Sequence, residues 1–147
     1  MRAFLAAAAL GLVPGLAAAD IIERTSPHSV ADTADRLESA VEGAGATVFA
    51  RVDHAAGAES VGEELAPTVM VMFGNPKLGT PAMQAAARAG LDLPLRVVIF
   101  EADDGTVTLA YHDPADLAED HDIPADAAVL EQMRGALANL TEAAVAP

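Results

Sequence analysis

The chemistry open to this 147-residue chain is bounded by its reactive side chains: four histidines, 22 carboxylates, a single lysine and no cysteine. The lysine stands in VMVMFGNPKLGTP, Val69 to Pro81, where an apolar run stops at Gly74-Asn75-Pro76 and restarts at Gly79-Thr80-Pro81. Gly74 to Thr80 has the outline of a phosphate-binding loop. In that motif, however, the lysine directly precedes the hydroxyl residue, and here Gly79 precedes Thr80. Pro76 also removes a backbone donor. Nucleotide hydrolysis is excluded on this pattern. Two readings of the turn remain. In one, Thr80 caps a helix with Pro81 at its first position, and the amides there, with Lys77 beside them, dock a carboxylate or phosphate. In the other, Asn75 and Gly79 only shape turns and Lys77 is solvated.

The histidines are His28, His54, His112 and His121. YHDPADLAEDHD, Tyr111 to Asp122, places two of them among five carboxylates, with Asp116 and Asp120 one helical turn apart, which is a conceivable metal patch. Pro114 and the absence of an H-E-x-x-H or H-x-H spacing weaken it, and a solvated acidic face explains the same residues. His54, after Asp53 at a strand end, is the histidine best placed for acid or base work; a capping role is its plainer explanation. Asp103-Asp104-Gly105 lacks the alternating ligands of a calcium loop, and no serine sits in a Gly-x-Ser-x-Gly elbow. The missing cysteine removes disulfides, thiolate nucleophiles and zinc-thiolate sites together.

A formal charge of −14 repels phosphate backbones and anionic lipid heads, so neither nucleic acid nor a membrane surface is an expected partner. Aromatics at 3% with no Trp give no stacking platform. Residues 1–19, MRAFLAAAALGLVPGLAAA, read as a cleavable secretory signal: Arg2, an apolar run too short to stay in a bilayer, Pro14-Gly15, and a small-x-small end at Ala17 to Ala19. Cleavage before Asp20 sends a single domain, residues 20–147, to the periplasm or medium, with no membrane attachment afterwards.

The elements that must position these residues follow from periodicity. Ile21-Ile22 opens a short strand. Ser29 caps a helix with Val30, Ala34, Leu37 and Val41 on one face, ending at Gly43 to Gly45. Thr47 to Val52 alternates as a strand, followed by a short helical piece from Asp53. Thr68 to Phe73 is apolar on both faces, the pattern of a central strand covered on two sides. A short helix with Met83, Ala86 and Ala87 ends at Gly90. Leu95 to Ala102 and Thr106 to Tyr111 form a hairpin across Asp103-Asp104-Gly105. An acidic helix near Asp116 to Glu119 and a longer one with Val129, Leu130, Met133, Leu137 and Leu140 follow, with a frayed tail from Ala143 to Pro147. This order predicts an α+β fold: a mostly antiparallel, curved sheet of about five strands packed against helices.

ARVDHAAGAESVGEELAPT, FGNPKLGTPAMQ and LDLPLRVVIFEADDGTVTLAYHDP occur together, and the chain from Ile21 to Pro124 resembles the prokaryotic family called domain of unknown function 302. The family-like positions include His54, Pro67, Phe73, Gly74, Asn75, Pro76, Gly79, Thr80, Leu93, Pro94 and Tyr111; Glu119-Asp120 departs from the basic residue often found before the histidine matching His121. The resemblance implies an antiparallel α+β domain, often dimeric and often exported, and brings no activity. The expected function is an exported, non-enzymatic binding or interaction domain. Its small-molecule ligand or protein partner would occupy a groove among His54, Phe73, Gly74, Asn75, Lys77, Thr80 and Tyr111, with no cofactor specified. The alternative is a metal-handling protein or metal-dependent enzyme using His54 with His112 or His121. A homodimer is expected because a two-faced apolar strand in so small a domain can leave a face for a second copy.

Overall fold

The computed structural model describes residues 21–147; the expected secretory signal lies outside them. Five strands form one sheet: β1 (Ile21–Ser26), β2 (Thr47–Asp53), β3 (Thr68–Gly74), β4 (Leu95–Glu101) and β5 (Val107–His112). Their spatial order is β1-β5-β4-β3-β2, and every neighbouring pair is antiparallel. The α+β class and the antiparallel five-stranded sheet are as the sequence predicts. The helices are α1 (Val30–Gly43), α2 (His54–Glu59), α3 (Pro76–Ala85), α4 (Asp116–His121) and α5 (Ala128–Val145), with a 3-10 turn at Ala87–Leu91.

Helix α1 starts where Ser29 accepts the amide of Asp32 at 3.1 Å, and it ends against Gly45, whose φ of 73° suits a residue without Cβ. The helix carries the chain from one sheet edge to the other, since β1 and β2 are the two edge strands. Its stripe of Val30, Ala34, Leu37 and Val41 is buried against Val69, Val71, Phe73, Val97, Ile99 and Leu109. Leu137, Leu140 and Ala144 of α5 complete this core. Full burial of a side chain such as Leu37 contributes roughly 1.5–3 kcal/mol.

The first half of α5 closes a smaller cluster, in which Leu130 and Met133 meet Ala82 of α3, Ala89 of the 3-10 turn, Leu117 of α4 and Ile123. Both long connections, β3 to β4 and β5 to α5, emerge at the sheet end holding Gly74, Leu95 and His112. The opposite end carries α2 with its following loop, the β1–α1 turn and the tight Asp104-Gly105 hairpin, where Gly105 has φ 82°. There the Asp104 carboxylate accepts the Thr106 amide at 2.9 Å, a bond that holds its pKa below the ordinary 3.8.

Four expectations need correction. Strand β3 is covered on one face only: Val69, Val71 and Phe73 are buried, whereas Met70 and Met72 stay half-buried beside Val98 and Phe100, because α1 and α5 both pack on the first face. Helix α3 begins at Pro76 rather than Pro81. Asn75 is the stronger cap, its side chain accepting the Lys77 amide at 2.9 Å while Pro76 fills the first helical position, which leaves Pro81 inside the helix. The helix also stops early: Ala86 is extended (φ −149°, ψ 108°), Met83 is 40% exposed, and Gly90 belongs to the 3-10 turn. The tail is not frayed. Ala144 is fully buried, Arg36 donates to the carbonyls of Ala144 and Ala146 at 3.0 and 2.7 Å, and His28 Nε2 lies 2.7 Å from the Ala146 carbonyl. These contacts occupy carbonyls that a helix end otherwise leaves open.

Candidate functional site

The Gly74–Thr80 segment is where β3 leaves the sheet and turns directly into α3, so its residues are split between a strand end and the first turns of a helix. The first-turn donors are all in use. Pro76 has none, Lys77 N–H donates to Asn75 Oδ1, and the amides of Leu78 and Gly79 both donate to the Asn75 carbonyl at 2.9 Å. Thr80 is the fifth helical residue, beyond the terminus at which a free amide could meet an anion. The backbone here is not a phosphate cradle.

It walls a groove instead. A register shift between Val48 and Ala50 displaces Phe49 from its pairing on β2 and leaves it 58% exposed. Phe49 and Gly74 form one side, Gly79, Thr80 and Met83 of α3 another, and Leu93 with the cis-linked Pro94 a third, with Met133 at the base. The opening is about 400 Å³, and its walls are largely apolar. Three glycines line it. A Cβ at Gly74 would stand 3.3 Å from Phe49 Cε2, one at Gly79 would meet Met83 Cε at 3.9 Å and Leu93 Cδ1 at 4.0 Å, and one at Gly90 would meet Met83 Sδ at 3.5 Å. Gly79 has no positive φ and lies within a helix, so turn geometry does not require a glycine there.

Leu95 lines this groove and a second, polar cleft of about 140 Å³, bounded by Asp92, Arg96, His112, Asp113, Asp116 and Asp120. Two of its carboxylates are in ion pairs. Asp113 meets Arg134 at 2.9 Å, and Asp92 meets Arg96 at 3.3 Å and His121 Nε2 at 2.6 Å. Among the described residues, no group of three or more His, Asp and Glu side chains has the arrangement to hold a metal ion. His121 is 6% exposed and its Nδ1 is buried without a hydrogen-bond partner. It ties α4 to Asp92, the residue that follows the 3-10 turn.

The profile of the family described as Domain of unknown function DUF302 matches residues 22–140. The chain belongs to that family. Over 98 residues it is 46% identical to a protein of Brucella suis biovar 1 (strain 1330) called fluoride-specific ion channel FluC 1, which covers 67% of this chain and 39% of that protein. The same identity and length relate it to fluoride-specific ion channel FluC 1 of Brucella abortus biovar 1 (strain 9-941) and FluC 2 of Brucella melitensis biotype 1, 36% of each being covered. The chain therefore spans less than two-fifths of the length of these curated relatives. A solved structure, an uncharacterized conserved DUF302 protein from Bacillus stearothermophilus, superposes with a TM-score of 0.76 at 18% identity, over 84% of this chain and 97% of that one. Among the described residues of this DUF302 chain, no helix is long and apolar enough to cross a membrane.

The DUF302 fold distributes the expected site residues in three ways. Gly74, Asn75 and Thr80 line the groove, and Lys77 sits between the lining residues Pro76 and Leu78. Phe73 and Tyr111 point to the core face, 2% and 5% exposed, and support the strands rather than the groove. His54 is at the far end of β2, since Thr47 pairs with Gly74 and Asp53 with Val69; seven strand residues put it roughly 20 Å away. It is exposed and opens α2, whose cap is Asp53 accepting the Ala56 amide at 2.9 Å. The same separation keeps His54 from His112 and His121, so the alternative metal site is not assembled by this fold. Sequence reading missed Phe49, Met83, Leu93, Pro94 and Met133. The signals available were the family-like Leu93-Pro94 step and a glycine in each of three segments that converge.

Proposed function

We propose that this protein is an exported, non-enzymatic binding domain that holds a small, mainly apolar ligand in the groove between the Phe49 bulge, α3 and Pro94. The supporting observation is the open groove of about 400 Å³, within the range of roughly 300–1,000 Å³ typical of small-ligand sites and lined by glycines from three segments. The leader-like pattern of residues 1–19 supports export.

The Brucella relatives are named for fluoride transport, and on our reading the segment they share with this chain serves as a ligand-binding accessory rather than an ion path. Fluoride itself suits the groove poorly: no charged side chain lines it, and the first-turn amides of α3 are taken. We further propose a homodimer through the uncovered sheet face, where Met70, Met72, Val98 and Phe100 form a half-buried apolar patch. Light scattering at micromolar concentration should give twice the monomer mass; a monomer at physiological salt rejects the dimer.

The groove is tested by titrating 1-octanol into isotope-labelled protein and following backbone amides by NMR. Saturable shifts should centre on Gly74, Gly79 and Gly90, and Gly79→Leu, which fills the groove, should remove them. Saturation centred elsewhere, or none, rejects the binding reading.

A further inference from the structure

The chain has no cysteine, so its sulfur is confined to five methionines. Those within the described residues differ sharply in burial. Met133, at the base of the groove, is 1% exposed, and Met70 and Met72 are half-buried on the uncovered sheet face, whereas Met83 is 40% exposed.

The place of Met83 on α3 accounts for the difference. Ala82 is the buried residue of that helix, and Met83, the next one round, falls on the groove wall. Its Cε lies 3.9 Å from where a Cβ on Gly79 would stand, one turn earlier on the same helix, and its Sδ lies 3.5 Å from the corresponding point on Gly90. The thioether is thus laid across two wall residues, neither of which has a side chain to cover it. Among the lining residues only the two methionines carry a group that hydrogen peroxide oxidises readily, and Met133 is closed off.

That oxidation is a two-electron step. A sulfur lone pair attacks one peroxide oxygen and the O–O bond breaks as the S–O bond forms. The second oxygen leaves as hydroxide and takes the proton of the transferred one to become water. Sulfur loses the two electrons that peroxide gains, and a flexible apolar side chain becomes a polar sulfoxide. An apolar ligand lying on that wall must then strip water from a strong acceptor without replacing its hydrogen bond.

We propose that Met83 is a redox-sensitive modification site: its conversion to the sulfoxide by hydrogen peroxide weakens the hold of the groove on apolar ligands, and its reduction restores that hold. The proposal rests on the groove reading and adds regulation to that site.

The test treats the folded, full protein with hydrogen peroxide, follows each methionine by peptide mass spectrometry, and titrates 1-octanol before and after by amide NMR. Met83 should take up oxygen ahead of Met70 and Met72, with Met133 last. Octanol affinity of the singly oxidised protein should fall about tenfold, the effect of a polar group left facing an apolar one. Methionine sulfoxide reductases of both stereospecificities, driven by dithiothreitol, should restore it; without cysteine the protein offers that reductant no disulfide. Met83→Leu, which conserves apolar volume, should bind octanol and keep its affinity through peroxide treatment. Oxidation of Met70 or Met72 ahead of Met83, or an affinity that oxidation leaves unchanged, overturns the proposal while the groove reading stands. So does a loss that Met83→Leu shares, that the reductases do not reverse, or that comes with a changed circular dichroism spectrum. Absence of saturable octanol binding before any peroxide is added overturns the groove reading and this proposal together.

Discussion

A glycine at the fourth position of a ten-residue helix is a local disadvantage, and Gly79→Ala measures why it is there. Glycine costs about 1 kcal/mol relative to alanine inside a helix, through backbone freedom retained in the unfolded chain. The new methyl would stand 3.9 Å from Met83 Cε and 4.0 Å from Leu93 Cδ1, ordinary van der Waals distances, so no clash offsets the gain. The expected result is a stabilisation of about 1 kcal/mol. With a urea m-value of about 2 kcal/mol/M for a domain of this size, the unfolding midpoint rises by about 0.5 M, and the melting temperature rises by about 3–5 °C. The assay is urea unfolding followed by circular dichroism, with the m-value checked for constancy. An unchanged or lowered midpoint refutes the reasoning, because residue 79 would then not be helical or the groove wall would not admit a methyl. A rise in stability accompanied by weaker binding of a groove probe shows that the glycine trades helix stability for open volume.

Three further outcomes are expected. His121→Ala removes a buried side chain and its bond to Asp92, and should destabilise by about 2–3 kcal/mol in denaturant unfolding, while Asp92→Asn, which keeps an acceptor, costs less than half of that. Arg36→Met retains the aliphatic stem but releases the Ala144 and Ala146 carbonyls, and should cost about 1–2 kcal/mol with faster amide exchange confined to the end of α5; uniform exchange along the chain contradicts the local role. The folded-state pKa of Asp104 lies below 3.8, so the charged carboxylate stabilises the fold above that value and its contribution is lost as pH falls through it. The stability gap between wild type and Asp104→Asn should therefore be present at pH 7 and shrink below about pH 4, and a gap constant with pH refutes the assignment.

Most of the sheet was legible in the sequence because its signals are local. Alternation marks β2, Asp104-Gly105 marks the β4–β5 hairpin, and Ser29 with Asp32 marks the start of α1. What failed was the reading of signals with competing local explanations. Thr80-Pro81 is a sound helix start by itself, yet Asn75-Pro76 offers the same device one turn earlier and prevails because β3 ends at Gly74. Strand β3 looked buried on both faces because Met70 and Met72 are apolar, but apolarity does not identify what covers a residue. The C-terminal segment looked frayed because it is alanine-rich, and its anchors, Arg36 and His28, lie more than a hundred residues away.

The site was legible only in part, for a related reason. The turn at Gly74 to Thr80 attracted a donor-cradle reading because glycine, asparagine and lysine are the residues of anion loops, and that reading assigns glycine a backbone role. In this fold the backbone donors are satisfied by Asn75 alone, and glycine acts through the side chain it lacks. A missing side chain has meaning only when the facing wall is known, and here that wall comes from Phe49, Leu93 and Met133, on three separate segments. The bulge that exposes Phe49 leaves no mark in the alternating residues of β2, since a register shift is a property of a pair of strands rather than of one. His54 shows the converse error: strand-end position and family likeness placed it near the turn, and antiparallel pairing with β3 sends it to the other end of the sheet. A chemical grouping inferred from one chain therefore has to respect strand direction first, and of the seven expected residues only three on the β3–α3 junction, Gly74, Asn75 and Thr80, line the groove.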